Sequence, residues 1–207
     1  MTGQTSNHPD IKPFQIFDVL NQTDFERVMT ERSDFLPNPH VTSATKLLNF
    51  RYSEKEIGIF AKVCDKIVET LIAKGFEKPK VTSIDYINHN NRTAMPWHRH
   101  WLLHSINPYD KLDKKDESKI PKTIPYEYFW IVIYYPHKLF DKDYCGKLHV
   151  NLNVDDPGYV FDSVPNSLIF HNGLYGHKVT IDKIHPDLVR NACFTHWVCK
   201  YDFKSSK

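Results

Sequence analysis

The sequence predicts a mostly β protein with helices packed outside the sheets, of the jelly-roll or sandwich kind. Three observations carry this. Helix-period patterns are confined to the first third of the chain. From about residue 80, short runs of β-branched and aromatic residues recur at regular spacing, broken by Gly, Pro, Asp and Asn. No internal repeat is visible, and helices precede strands instead of alternating with them, which argues against a parallel α/β sheet. A length of 207 residues fits one domain, and 41% hydrophobic content is enough for a real core. Within that single domain, residues 1–79 read as an N-terminal strand with buttressing helices. Residues 80–203 read as the β core, with a lid-like insertion over residues 102–125.

Residues 1–12 read as a loose tail and residues 14–20 as a strand. Thr23-x-x-Glu26 has the form of a capping box opening a short helix through about Arg32. Pro37-Asn38-Pro39 breaks the chain. Ser53-x-x-Glu56 is a second box. Behind it Ile57, Phe60, Ala61, Cys64, Ile67, Val68, Leu71 and Ile72 form one helical stripe, and Gly75 is placed to end it. Strands are expected at residues 81–87, 97–101, 126–135, 147–152, 159–161, 167–170, 177–181 and 190–201. The run at 126–135 is almost wholly aromatic and β-branched. The charged, proline-punctuated stretch 102–125 is too long for an ordinary connection and reads as a lid or a disordered segment.

Composition excludes several roles. The net charge is +2 and no basic block stands out, so binding to nucleic acid has no support. No apolar run is long enough for a membrane span, and the N-terminus has no signal-peptide apolar region. Cys64, Cys145, Cys193 and Cys199 lack CxxC spacing and read as reduced thiols, which places the protein in the cytoplasm. Oligomeric state leaves no mark in the sequence.

The chemistry gathers in three stretches. Pro96-Trp97-His98-Arg99-His100-Trp101 carries histidines at i and i+2. On a strand both imidazoles leave the same face and form half of a transition-metal site. The stretch 166–179 adds His171 and, after a glycine, His177. Arg190 opens a further β-prone run. With 12 histidines in the chain, an HxH pair also arises as two surface or core histidines, and Arg190 as a structural ion-pair residue. His137, His149, His185 and His196 read as surface or core residues, His104 as a lid residue, and Arg99 as pointing away from the metal.

The order of these pieces resembles the Fe(II)/2-oxoglutarate-dependent oxygenases, in particular the prolyl-4-hydroxylase-like branch. The resemblance rests on Ser83-Ile84-Asp85-Tyr86, His98-Arg99-His100, the 126–135 strand, Cys145-Gly146-Lys147-Leu148 and Val164-Pro165-Asn166-Ser167-Leu168-Ile169-Phe170. It continues with Gly176-His177-Lys178-Val179 and, thirteen positions after His177, Arg190. It covers roughly residues 14–200. It implies a double-stranded β-helix (jelly roll) holding Fe(II), with 2-oxoglutarate as cosubstrate. It further implies His98 and His177 as metal ligands, Arg190 on the far carboxylate of 2-oxoglutarate, and Tyr86 touching the same molecule. Hydroxylation is the implied reaction, on a small-molecule or peptidyl substrate. The 102–125 segment would close the site.

One position departs from that family. His100 stands where the family has Asp or Glu. Three readings compete: a three-histidine site of His98, His100 and His177; a carboxylate supplied by Asp85, Asp110 or Asp162; or a degenerate site on a protein that no longer oxidises anything. His100 is too large to leave the halide position of the family's halogenases. His171 competes with His177 for the distal role. Two other classes remain beside the oxygenase. A cupin-like enzyme would need a Glu shortly after the HxH pair, and none lies between His100 and Asp110. A non-catalytic jelly-roll binding protein is the other, since fold does not dictate function.

Overall fold

The computed structural model of the chain describes residues 12–35, 46–47, 57–89, 95–98, 127–138, 146–151, 158–173, 175–180 and 190–200. They form strands β1 (Phe14–Ile16), β2 (Lys46–Leu47), β3 (Lys80–His89), β4 (Met95–His98) and β5 (Glu127–Tyr134). Strands β6 (Lys147–Asn151), β7 (Tyr159–Asp162), β8 (Leu168–Asn172), β9 (Gly176–Thr180) and β10 (Arg190–Lys200) come after them. Helices α1 (Gln22–Phe35) and α2 (Phe60–Ala73) lie in the first third. Residues 48–56, with the expected Ser53–Glu56 box, and the 102–125 insertion lie outside the described residues.

The strand expected over residues 14–20 stops at Ile16. Asp18 takes a positive φ of 51°, which a continuing strand cannot accommodate. Asn166, itself at φ 54°, captures Val19 and Leu20, just ahead of the residue that caps α1. Its carbonyl accepts from the Val19 N–H at 3.1 Å, its Oδ1 from the Leu20 N–H at 3.0 Å, and its Nδ2 donates to the Leu20 carbonyl at 2.8 Å. The cap of α1 also differs from the expected Thr23 box. Asn21 is the N-cap: its Oδ1 accepts from the Asp24 N–H at 2.9 Å, and its Nδ2 donates to Asp24 Oδ2 at 2.8 Å. Asn21 and Asp24 thus satisfy each other two residues ahead of the pair read from the sequence, because an Asn side chain caps as well as Thr does.

Helix α2 buries Phe60, Ala61, Val63, Cys64, Ile67, Val68 and Leu71. This is the expected stripe rotated slightly, so that Val63 is in and Ile72 is out. Gly75 ends the helix as expected. At φ 89° it donates to the Ile72 carbonyl, while Phe76 reaches back to the Leu71 carbonyl at 3.1 Å. Those two bonds are a Schellman cap, and a left-handed residue there favours glycine. Lys62 ties α2 to α1 through Asp24 Oδ2 at 2.7 Å.

The strands make two antiparallel sheets. One has the order β1-β8-β5-β10-β3-β2, the other β4-β9-β6-β7. Strict alternation along β5 divides the core in two. Trp130, Val132 and Tyr134 join Leu168, Phe170 and Trp197 in a cluster with both helices. Ile131, Ile133 and Tyr135 face the other way. They pack with Ile169 and with Leu148, Val150 and Val179 of the four-stranded sheet. The six-stranded sheet is therefore covered on both faces, by helices on one side and by the second sheet on the other. All five residues of β8 are buried as a result. A strand buried on both faces reads as a continuous apolar run, which is why the 126–135 stretch shows no polar alternation. Each large aliphatic or aromatic side chain so placed contributes about 1.5–3 kcal/mol by leaving water.

Candidate metal centre

The site lies between the sheets, at the end where β8 turns into β9. His177 is the second residue of β9 and is fully buried. It alternates onto the same face as Val179, the face packed against the six-stranded sheet. β9 runs between β4 and β6, with His98 as the Cα partner of His177 on one side and Val150 on the other. Residues directly opposite in an antiparallel pair share a face and lie about 4.5–5.5 Å apart at Cβ. The register thus brings the 98 and 177 positions together across 79 residues of chain.

Two features set that register. Between Met95 and His98 strand β4 takes three steps where β9 takes two, a β-bulge. Trp97 lies inside the bulge, and its indole covers Gly176. A Cβ built on Gly176 would stand 2.4 Å from Trp97 Cζ2 and 2.6 Å from Cε2. The glycine before His177 is required by that ring, since any side chain there would displace the indole.

His171 enters from the opposite sheet. It is fully buried on β8, alternates with Ile169 onto the inter-sheet face, and meets His177 with ring centroids 4.8 Å apart and planes at 59°. Its Nδ1 donates to the Asn172 carbonyl at 3.3 Å. The two residues read as rivals for the distal position are therefore neighbours in one interior.

The side chain of His98 and the whole of His100, Asp110 and the 102–125 segment lie outside the described residues. Among the described side chains, no group of three or more His, Cys, Asp or Glu could hold a metal ion. Asp162 pairs with Lys147, one step out of phase with the inward-facing Leu148 and Phe161. By alternation it lies on the outer face of its sheet. Arg190 begins β10 with His89 as its Cα partner. It shares parity with Phe194, whose partner Ile133 belongs to the inter-sheet core. Tyr86 pairs with Cys193, which pairs in turn with Tyr134 on the helix-facing side. The side chains of Tyr86 and Arg190 lie outside the described residues. Asp85 has the parity of Arg190.

No family model matches the sequence, and no curated protein matches it. Solved structures do. The viral collagen prolyl hydroxylase of Paramecium bursaria Chlorella virus-1 superposes with a TM-score of 0.58 at 10% identity, covering 96% of this chain and 97% of that one. A Trichoplax adhaerens prolyl hydroxylase, in complex with a peptide of the hypoxia inducible factor oxygen degradation domain, gives 0.56 at 12% identity over 93% and 84%. A Burkholderia pseudomallei oxidoreductase of the 2OG-Fe(II) oxygenase family gives 0.56 at 12% identity over 93% and 86%. Among the described residues no helix is long and apolar enough to cross a membrane. At these identities the likeness is one of fold, and it extends over nearly the whole chain: the protein shares its fold with the prolyl-hydroxylase-like 2OG-Fe(II) oxygenases.

Proposed function

We propose that the chain is an Fe(II)- and 2-oxoglutarate-dependent oxygenase, a hydroxylase of a small-molecule or peptidyl substrate. The observation that carries this is the register of His98 on His177 in the sheet that faces the β8 histidine. The strand orders support a double-stranded β-helix: eight antiparallel strands, β3 to β10, divide four and four between two sheets that share a core. The helices then buttress the β core expected over residues 80–203 from outside, within one domain.

The donor set fits a first-row metal. Positions 98 and 177 are paired on adjacent strands, and the buried His177 ring lies beside that of His171, between sheets that share the core of Ile131, Val150, Ile169 and Val179. Neutral nitrogen donors in a dry pocket suit Fe(II). His98 and His177 hold the ion, and a third imidazole takes the place of the family's carboxylate. The sequence offers His100 for it, two residues after His98. Bound iron with 2-oxoglutarate supplies oxidation of a C–H bond by dioxygen, coupled to decarboxylation of the cosubstrate to succinate. The chain's own part is to bind, orient and exclude water. Arg190 pairs with the far carboxylate of 2-oxoglutarate through a planar, bidentate guanidinium. The aliphatic walls keep the reacting centre dry. The free, buried Cys64 and the lack of CxxC spacing support a reducing compartment such as the cytoplasm.

Metal analysis of anaerobically purified protein, with an assay for succinate formed from 2-oxoglutarate, tests the reading. One equivalent of iron and succinate production are expected, and both His98→Ala and His177→Ala should lose the iron. Protein that takes up no divalent metal under these conditions would leave a binding protein on an oxygenase fold.

A further inference from the structure

We propose that the third imidazole of the metal centre is His171, on β8, and not His100. The inference rests on the metal-site reading of the proposed function and changes its ligand set. Three observations converge on it. The first is distance. Two imidazoles bound to one ion at about 2.0–2.2 Å, at octahedral to tetrahedral angles, have ring centres roughly 4.6–5.3 Å apart. His171 and His177 stand at 4.8 Å with their planes at 59°. The second is tautomer. A carbonyl can only accept, so the bond from His171 Nδ1 to the Asn172 carbonyl puts the ring proton on Nδ1. The lone pair is then on Nε2, the form in which metal-binding histidines are held by an outer hydrogen bond. The third is position. His171 reaches the site from the six-stranded sheet, whereas His98 and His177 come from the four-stranded sheet that faces it. Donors from both walls can surround an ion.

The chemical consequence is direct. The ion carries three neutral ligands and keeps its full 2+ charge until an anionic cosubstrate binds. Metal and 2-oxoglutarate should therefore bind with strong mutual enhancement.

The test uses the full-length protein and Co(II), whose visible bands report the ligand set. Titration of wild type, His171→Gln, His100→Gln and His177→Ala should show a single tight Co(II) site in wild type. His171→Gln is expected to weaken it at least tenfold and to change the band shape. His100→Gln is expected to leave both unaltered, and His177→Ala to abolish binding. Retained affinity and bands in His171→Gln, with loss in His100→Gln, would overturn the assignment and return the third position to His100. Equal Co(II) binding by wild type and His177→Ala, or none by either, would remove the metal site itself and the inference with it. Because His171 is a core residue, a second measurement avoids substitution. In wild-type protein labelled with 15N-histidine, one equivalent of Zn(II) should shift the His171 Nε2 resonance together with those of His98 and His177. An unmoved His171 Nε2 signal would overturn the proposal in the native protein.

Discussion

Asn166 joins three segments that are remote in sequence. Besides its bonds to residues 19 and 20, its Oδ1 accepts from the Tyr134 hydroxyl at 3.1 Å and its N–H donates to the Tyr135 carbonyl at 3.0 Å. Asn166→Ala removes three side-chain bonds and leaves a residue with a Cβ at positive φ. At about 0.5–1.5 kcal/mol for each bond, a loss of roughly 2–4 kcal/mol is expected in urea unfolding. Asn166→Gly should recover only the backbone part, a few tenths of that. Asp24 acts through charge. Its hydrogen bond to Lys62, chiefly, holds its carboxyl below the ordinary carboxylate range, against a smaller opposing effect of burial. A depressed folded pKa stabilises above the unfolded value of about 3.9 and is lost as pH falls through the folded value. The melting temperature of wild type should therefore exceed that of Asp24→Asn near neutrality, and the gap should shrink in acid. A gap independent of pH would show that the pair contributes through packing alone. Cys64 is the opposite case: burial pushes its thiol well above the ordinary range, so it is chemically inert in the fold.

Among the elements, the start of β9 is where sequence becomes chemistry. The β4 bulge turns the Trp97 indole over Gly176, and the same bulge keeps His98 level with His177. Gly176→Ala forces the rigid indole aside. Overpacking of this kind costs about 1–3 kcal/mol. Trp97→Ala in the Gly176→Ala background should restore part of that stability, because the clash is gone. A double-mutant cycle by urea unfolding measures this coupling. Additive losses would show that the two residues do not act on one another. Helix α2 illustrates the same economy of means, since one glycine at φ 89° satisfies its last carbonyls and delivers Phe76 to the core. There Phe76 meets Trp130 edge-on at 5.4 Å.

Taken entire, the fold is a sheet with two different faces. One face is sealed by α1 and α2 around Trp130, Tyr134 and Trp197, and this is the stabilising core. The other faces the second sheet and hosts the buried histidines. Position 190 belongs by register to that second face. Arg190→Ala is accordingly expected to weaken 2-oxoglutarate binding roughly tenfold to a hundredfold, the loss of one charge-assisted bidentate pair. Metal content should stay unchanged. Anaerobic calorimetry of the metal-loaded protein measures it. Unchanged cosubstrate affinity in a folded variant would make Arg190 a structural residue.

The strands were legible in the sequence because a strand buried on both faces has an unmistakable composition. The 126–135 run is almost wholly aromatic and β-branched, β8 opens on Leu168-Ile169-Phe170, and Gly75 marks the end of α2 through a backbone conformation that glycine favours. Local errors arose where two residues offered the same chemistry. Asn21 and Thr23 are both good caps, and only the bond to the Asp24 N–H decides between them. Pairing between distant segments was beyond the reach of local pattern. Alternation within a strand says which residues share a face, but not which face meets which sheet. That is why the pairing of β4 with β9, which sets position 98 beside His177, could not be read from either stretch alone. Residue identity was enough to mark the candidate stretches, since histidine, arginine and glycine are recognisable anywhere. Their company was settled only by the folded chain. His171 and His177 meet because a tight turn hands the chain from one sheet to the other, and position 98 comes level with His177 because a bulge at Trp97 shifts its strand by one residue.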